Sequence, residues 1–410
     1  MKKALVLAGG FPQIALIKEL KSRDIYTVLA DYNEEPVAKA YADKYYRAST
    51  LDIAAITEIA VSERVDFLIT ACTDQALLTV AKVSEDLGLP CYIDYRTALN
   101  VTNKQYMKKV FNQYDIPTAH HVVMGELDEK QLEGMSYPLI VKPVDCNSSK
   151  GVKRVENIDE LRVAFAAAVK YSRTDTALVE EYIDGEELSA DIYVENGKAH
   201  VLSVSSLDKI ANNDKFVIFR GKYSADKVDQ VHDMVQSIAQ KIADAFGLVN
   251  SPMLIQMISD GKRAFVLEFS ARTGGGIKFL LIKKASGFDV ISAVVDLTLG
   301  KLPHVEKVTP ESRYITNDFI YCKPGKFDRL DGFDELLERG VISDYNVFKW
   351  KGAEFDTIEN SGDRVAGYTL QADTLDELRS NHRIAVEELK VLDVNGNDIM
   401  RHDLLPEINY

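Results

Sequence analysis

The strongest constraint on this chain lies near its start. An apolar strand, ALVLA, runs into the pair Gly9 and Gly10, then the amphipathic pattern IALIKELKSR, then a second apolar strand, YTVLAD, ending at Asp31. Strands that alternate with helices lie parallel, with helices covering both faces of the sheet. A second unit repeats the pattern: a helix over residues 52–64, the buried-type strand DFLITAC, and a helix over residues 74–87 that stops before Gly88 and Pro90. Residues 1–100 are therefore expected to form a small doubly wound α/β domain.

At 410 residues the chain is too long for one core, since domains run to about 100–200 residues. Residues 101–304 read as a second, α+β unit. It has helices over 103–114, 125–135, 158–171 and 225–246, and one long helix over 277–299. Two hairpins are marked by an N-G pair at Asn196 and a D-G pair at Asp260. The proline-containing charged stretch 300–311 sets off residues 305–410, expected to be a third, α+β domain.

Composition removes several function classes. The formal charge of −14 repels phosphate backbones and anionic lipid, so neither nucleic acid nor membrane is an expected partner. Cys72, Cys91, Cys146 and Cys322 form no C-x-x-C pair, which argues against thiolate zinc and for a reducing compartment. The apolar run after the initial lysines is too short for a signal peptide, and no run approaches about 18 apolar residues, so a cytoplasmic location is expected. No H-E-x-x-H motif and no Ser/His/Asp or Cys/His set stands out.

Three segments carry candidate chemistry. In PLIVKPVDCNSSKGV, Lys142 ends an apolar strand, where an ammonium is costly unless it meets an anion. The loop after it is rich in small residues, Asn147, Ser148, Ser149 and Gly151, that leave backbone N–H groups open to a phosphate. Taken alone this also fits a surface turn with a lysine. In VEEYIDGEELSADIYV, alternation places Glu180 and Tyr182 on one strand face and Glu181 and Ile183 on the other. A strand with free peptide groups can pair with adenine, and a carboxylate past the Asp184, Gly185 turn can take ribose hydroxyls; acidic hairpins without ligands share this pattern. In MLIQMISDGKRAFVLEFSARTGGG, Gln256 sits on one strand while Glu268, Ser270 and Arg272 alternate on its partner. Glu268 interrupts the apolar run AFVLEF. Oxygen ligands converging from neighbouring strands suit Mg²⁺ joined to nucleotide phosphates, Arg272 suits a transferring phosphoryl group, and the three following glycines offer N–H groups to an anion.

In that order, the segments resemble the ATP-grasp superfamily, and within it the branch of carboxylate–amine and amino-acid ligases, the carbamoyl phosphate synthetase large chain and biotin carboxylase. The likeness extends over residues 1–300, including the T-D-Q turn at Thr73 and the N-K-x-x-M-K segment from Asn103 to Lys108. It implies an ATP-grasp fold behind a pre-ATP-grasp domain. It also implies that Lys104 and Lys142 hold ATP phosphates, that Ser148, Ser149 and Gly151 belong to a covering loop, and that Glu180, Glu181, Tyr182 and Ile183 present the hinge to adenine. Glu187 would take the ribose, and Gln256, Glu268 and Ser270 would bind Mg²⁺, with Mn²⁺ as a substitute. Lys142 and Arg272 would act on the phosphoryl group.

One departure is plain: Ser270 stands where the family's E-x-N-P-R has a metal-ligating asparagine, which puts a second metal in doubt. The implied reaction activates a small carboxylic acid or amino acid as an acyl phosphate and joins it to an amine, releasing ADP and phosphate. Its partners are then small molecules, and a homodimer is admitted as the assembly. Competing readings are a bicarbonate-activating enzyme and a silent nucleotide-binding regulator. A dehydrogenase using Asp31 is disfavoured because Gly9-Gly10-Phe11-Pro12 lacks G-x-G-x-x-G.

Overall fold

The computed structural model describes residues 1–146, 151–210, 216–306 and 310–410. Ser148 and Ser149 lie outside the described residues. The N-terminal unit is a parallel sheet of β1 (Lys3–Leu7), β2 (Tyr26–Asp31), β3 (Lys44–Arg47) and β4 (Phe67–Ile69), ordered β3-β2-β1-β4. Alternate β1 residues serve opposite cores. Leu5 and Leu7 pack with Ile56 of α2 (Ile53–Glu63) and Val80 of α3 (Asp74–Leu87). Ala4 and Val6 pack with Ile14 and Ile17 of α1 (Phe11–Ser22). Gly10 precedes α1, and Pro12 fits its first turn, where a missing N–H does no harm.

Two short helices follow: α4 (Tyr95–Thr102), which the sequence pattern did not announce, and α5 (Lys104–Gln113). Both have side-chain caps, Asp94 accepting from the Thr97 N–H and Asn103 from the Tyr106 N–H. They lead into a small antiparallel sheet of β5 (His121–Met124), β6 (Leu139–Pro143), β7 (Lys153–Val155) and β8 (Ala177–Glu181), ordered β5-β8-β6-β7 and backed by α6 (Ile158–Tyr171). The helix expected over residues 125–135 is a single 3₁₀ turn at Glu129–Leu132.

The largest element is an eight-stranded sheet. Its strands are β9 (Glu186–Glu195), β10 (Lys198–Lys209), β11 (Ile218–Ser224), β12 (Ser251–Ser259) and β13 (Ala264–Ser270), with β14 (Tyr314–Ile320) further along the chain. Helix α7 (Ala225–Phe246) covers it, burying Val235, Ala239 and Ile242. The helix expected over 277–299 is two helices, α8 (Lys278–Ser286) and α9 (Val290–Thr298). Gly287 turns left-handed at φ +69°, and Asp289 starts α9 by accepting from the Ser292 N–H. That break lets α9 swing onto the N-terminal sheet, where Val290, Val294 and Val295 join the core of Ala4 and Val6.

The rest of the chain supplies β15 (Gly325–Asp331), α10 (Phe333–Glu338), β16 (Asp344–Val347), β17 (Glu354–Phe355), β18 (Ala366–Ala372), α11 (Leu375–Glu388) and β19 (Lys390–Asp393). The large sheet reads β13-β12-β9-β10-β11-β14-β18-β16, so it passes straight through residue 305; β17-β15-β19 form a separate small sheet. Backbone pairing of β11 with β14 therefore ties the last hundred residues to the wall of the cleft described below.

Gly185 marks the tightest approach in this arrangement, with β9 pairing Glu186 to Ser259 of β12 immediately after it. A Cβ at Gly185 would collide with the Ser259 carbonyl and lie 2.8 Å from the Ile258 side chain. Gly185→Ala is expected to lower unfolding free energy by about 1–3 kcal/mol through overpacking. Urea denaturation checks this, and an unchanged midpoint would show that the hinge can relax.

Candidate active site

The small sheet and the large sheet face each other across a cleft of about 1450 Å³. Lys104, Lys142, Glu180, Glu181, Tyr182 and Ile183 line it from the α5 and small-sheet side. Glu187, Gln256, Glu268 and Arg272 line it from the other. Ser270 is not on its wall but lies near the Asp74 carboxylate, which it helps to lower. Gly151 packs at φ +75° against Pro143 and Tyr171, next to Val152, which lines the cleft.

Charges are matched in pairs. Lys104 Nζ lies 2.9 Å from Glu268 Oε2 and donates to the Cys146 carbonyl at 2.8 Å. Glu180 is buried at 2% exposure between two ammonium groups, Lys142 Nζ at 2.5 Å from Oε1 and Lys108 Nζ at 3.0 Å from Oε2. Arg272 grips Asp74 with two nitrogens, Nε donating to Oδ1 at 2.8 Å. Glu187 pairs with Lys209. Lys278 Nζ lies 3.1 Å from the buried Asp191 and also bonds Ser205.

Burial alone would raise the Glu180 carboxyl, but Lys108 and Lys142 outweigh it and hold it at about 2. The same contest lowers Glu268, where Lys104 and Lys142 prevail over burial, and Asp74, where Arg272 prevails. Burial wins at Asp191, which is raised despite Lys278, and at Lys108, which burial and the neighbouring Lys142 lower. Cys72, on the cleft wall, is pushed up to about 12 by burial, so it stays a thiol.

The hinge differs from a free strand edge. β8 is central in its sheet, so the Glu181 and Tyr182 N–H groups already serve the His120 and Pro138 carbonyls at 3.0 and 3.1 Å. A ligand there meets peptide groups from Ile183 onward, with Tyr182 covered by the Arg154 guanidinium at 4.4 Å. Lys108, Asp191 and Lys278 carried no role in the sequence reading, and Asp74 entered it only as part of the T-D-Q turn. Lys108 was accessible to it: four residues after Lys104, it shares that lysine's helix face, the face of buried Met107 and Phe111.

The donor set fits a magnesium nucleotide. Gln256 and Glu268 are directly opposed across β12 and β13, giving one carboxylate and one amide oxygen. That is the complement by which Mg²⁺ is held when phosphates complete its shell. Among the described residues no cluster of three His, Cys, Asp or Glu side chains could hold a metal unaided.

A model of the ATP-grasp domain matches residues 135–279, a span that begins before β6 and ends in α8. The chain carries an ATP-grasp domain in an ATP-grasp fold. Over 339 residues it is 22% identical to a carbamoyl-phosphate synthase of Methanobrevibacter smithii, covering 76% of this chain and 90% of that protein. A D-alanine–D-alanine ligase of Parabacteroides distasonis is 24% identical over 333 residues, covering 74% of this chain and 98% of the ligase. Among solved structures, the L-amino acid ligase from Bacillus licheniformis superposes with a TM-score of 0.79 at 20% identity, covering 96% of this chain and 99% of that one. Among the described residues no helix is long and apolar enough to cross a membrane.

Glu180 is the charge that makes two buried lysines tolerable. Glu180→Gln is expected to cost about 3–5 kcal/mol at pH 7, because the cations lose their counter-ion. Since the folded carboxyl sits at about 2, below the ordinary value of about 4.3, the stabilisation is full above the latter and lost as pH falls toward the former. The wild-type acid limb should therefore be steeper between about pH 4 and 2 than that of Glu180→Gln. Urea titrations across that range read both effects, and parallel limbs would exclude the assignment.

Proposed function

We propose that the chain is an ATP-dependent carboxylate–amine ligase that activates a small carboxylic acid or amino acid as an acyl phosphate, passes it to an amine, and releases ADP and phosphate. The observation that carries this reading is the meeting of Lys104, Lys142, Glu268 and Arg272 in one cleft. The names of the relatives, two of them amino-acid ligases, support it.

ATP supplies the phosphoryl group, with Glu268 and Gln256 the residues that would hold Mg²⁺ against its phosphates. The protein's task is to bring two anions together, so its contribution is positioning and charge neutralisation. Lys104 and Lys142 hold the phosphates from the α5 and β6 side. Arg272, fixed by Asp74, faces the transferring group and the carboxylate. Glu187 holds the ribose, and the hinge from Glu180 to Ile183 the base. The carboxylate oxygen forms the new bond to phosphorus as ADP departs; the amine then attacks the acyl carbon, phosphate leaves, and the amine loses a proton. No protein nucleophile takes part, which accords with the un-ionised Cys72 thiol.

A cleft of about 1450 Å³ exceeds the usual range of roughly 300–1,000 Å³ for a single ligand. The surplus is room for substrates beside ATP. We assign the reaction to the cytoplasm.

Mixing the protein with ATP, Mg²⁺ and pairs of amino acids should release ADP and phosphate only when both substrates are present. Glu268→Gln should lower kcat by about 10²–10³, the loss typical of one electrostatic contact to the reacting centre; unchanged turnover would remove the metal assignment. Lys142→Ala should raise the KM for ATP. Nucleotide binding without release under every substrate would point to a regulator.

A further inference from the structure

The lysines and arginine described above each face a carboxylate. So do two further cations of the cleft, Lys222 with Asp208 at 2.8 Å and Arg401 with Asp403 at 2.7 Å. Arg364 lines the same cleft and is different: among the described residues it forms no ion pair.

Neutral groups hold it instead. Its guanidinium stacks on the Phe319 ring, 3.6 Å from the centroid. Nε donates to the Tyr321 hydroxyl at 3.0 Å, while Nη2 donates to the Ile218 carbonyl at 2.9 Å and the Ser361 hydroxyl at 3.2 Å. Nη1 donates to nothing among the described residues. It lies beside the glycine turn that follows Arg272: a Cβ added to Gly276, whose φ is +66°, would sit 3.7 Å from Nη1 and 3.1 Å from the Phe319 ring.

A half-buried guanidinium gives up hydration, and neutral acceptors return only part of it. Three donor contacts and a ring fix this one in place, while the nitrogen at the cleft keeps its hydrogens for an incoming group. Planar N–H donors of this kind match a carboxylate.

We propose that Arg364 anchors an anionic group of the substrate pair, a carboxylate that is not the one being activated. The inference rests on the ligase reading and narrows it: at least one partner carries a second negative group, either the acceptor, as a free amino acid does, or the activated acid, as a dicarboxylate does. Arg272 and Arg364 then flank the glycine turn with separate duties, one toward the reacting centre and one toward recognition.

The test compares ADP release for pairs of the twenty L-amino acids with that for pairs in which the acceptor is an L-amino-acid carboxamide. A second arm replaces aspartate and glutamate as the acid by asparagine and glutamine. In one arm the wild-type protein should prefer the carboxylate by about 10–100-fold in kcat/KM, the worth of a charged hydrogen bond, and that arm identifies which partner is held. Arg364→Ala should abolish the preference by raising KM for that substrate while the KM for ATP stays unchanged, and Arg364→Lys should restore part of it. A wild-type protein indifferent in both arms, a preference that survives in Arg364→Ala, or an equal rise in the KM for ATP would overturn the proposal.

If no pair releases ADP, the ligase reading fails separately. Calorimetric titration of the same amino acids and carboxamides then decides the arginine: carboxylate-dependent binding lost in Arg364→Ala supports it, and binding indifferent to the carboxylate, or none, overturns it.

Discussion

A lysine ammonium inside a folded domain needs an anion beside it, and the cleft of this protein is built around that requirement. Glu180 meets it for two lysines at once, Lys142 from β6 and Lys108 from α5. One carboxylate thus joins α5 to the small sheet that forms one wall of the cleft. Lys104, one helical turn before Lys108, makes the second crossing, to Glu268 on the far wall. Arg272 makes a third, to Asp74 at the start of α3 in the N-terminal unit. The three contacts draw together elements from residues 74 to 272.

This charge matching also shapes the chemistry open to the site. Cations already facing carboxylates stay ordered without a ligand, so the orientation of their N–H donors is set before substrate arrives, which is what electrostatic preorganisation demands. The carboxylates are also lowered against the pull of burial, and so remain acceptors over the whole neutral range. Asp191 is the exception, raised by burial even beside Lys278, and it lies behind the glycine turn where Lys278 passes close under Gly274.

Much of the architecture was legible because it depends on local pattern. The alternation of ALVLA and YTVLAD with helical patterns specifies parallel strands, and α6 and α7 begin and end where apolar periodicity and flanking turn residues place them. The break at Gly287 was not, since a lone glycine in an apolar helix pattern is tolerated as often as it ends the helix. The passage of the large sheet through residue 305 was hidden for another reason. Strand neighbours are chosen by tertiary pairing, and nothing in Tyr314–Ile320 names β11 as its partner. At the site, residue types on strands could be placed on faces, which locates Lys142, Glu268 and Arg272. Their counter-ions come from distant elements and leave no mark on spacing. Ser270 illustrates the limit: alternation puts it beside Glu268 and Arg272, yet it does not reach the cleft wall and lies near Asp74.

The same reasoning separates catalytic from discriminating charge. A cation that must act on every turnover gains from a resident carboxylate, because the pair keeps it oriented and desolvated while the site waits. A cation that must distinguish one substrate from another gains from having none, since a resident anion would compete with the ligand group and blunt the difference between a charged and a neutral analogue. Neutral acceptors and an aromatic face can orient such a group without satisfying its charge. Arg272 and Arg364 lie on either side of one glycine turn and follow these two designs, the first held by Asp74 and the second by Phe319, Tyr321, Ile218 and Ser361. The fold positions both from strands of the large sheet or their immediate flanks, so the continuity of that sheet across residue 305 is what sets Arg364, from the last part of the chain, beside the glycine turn that follows Arg272.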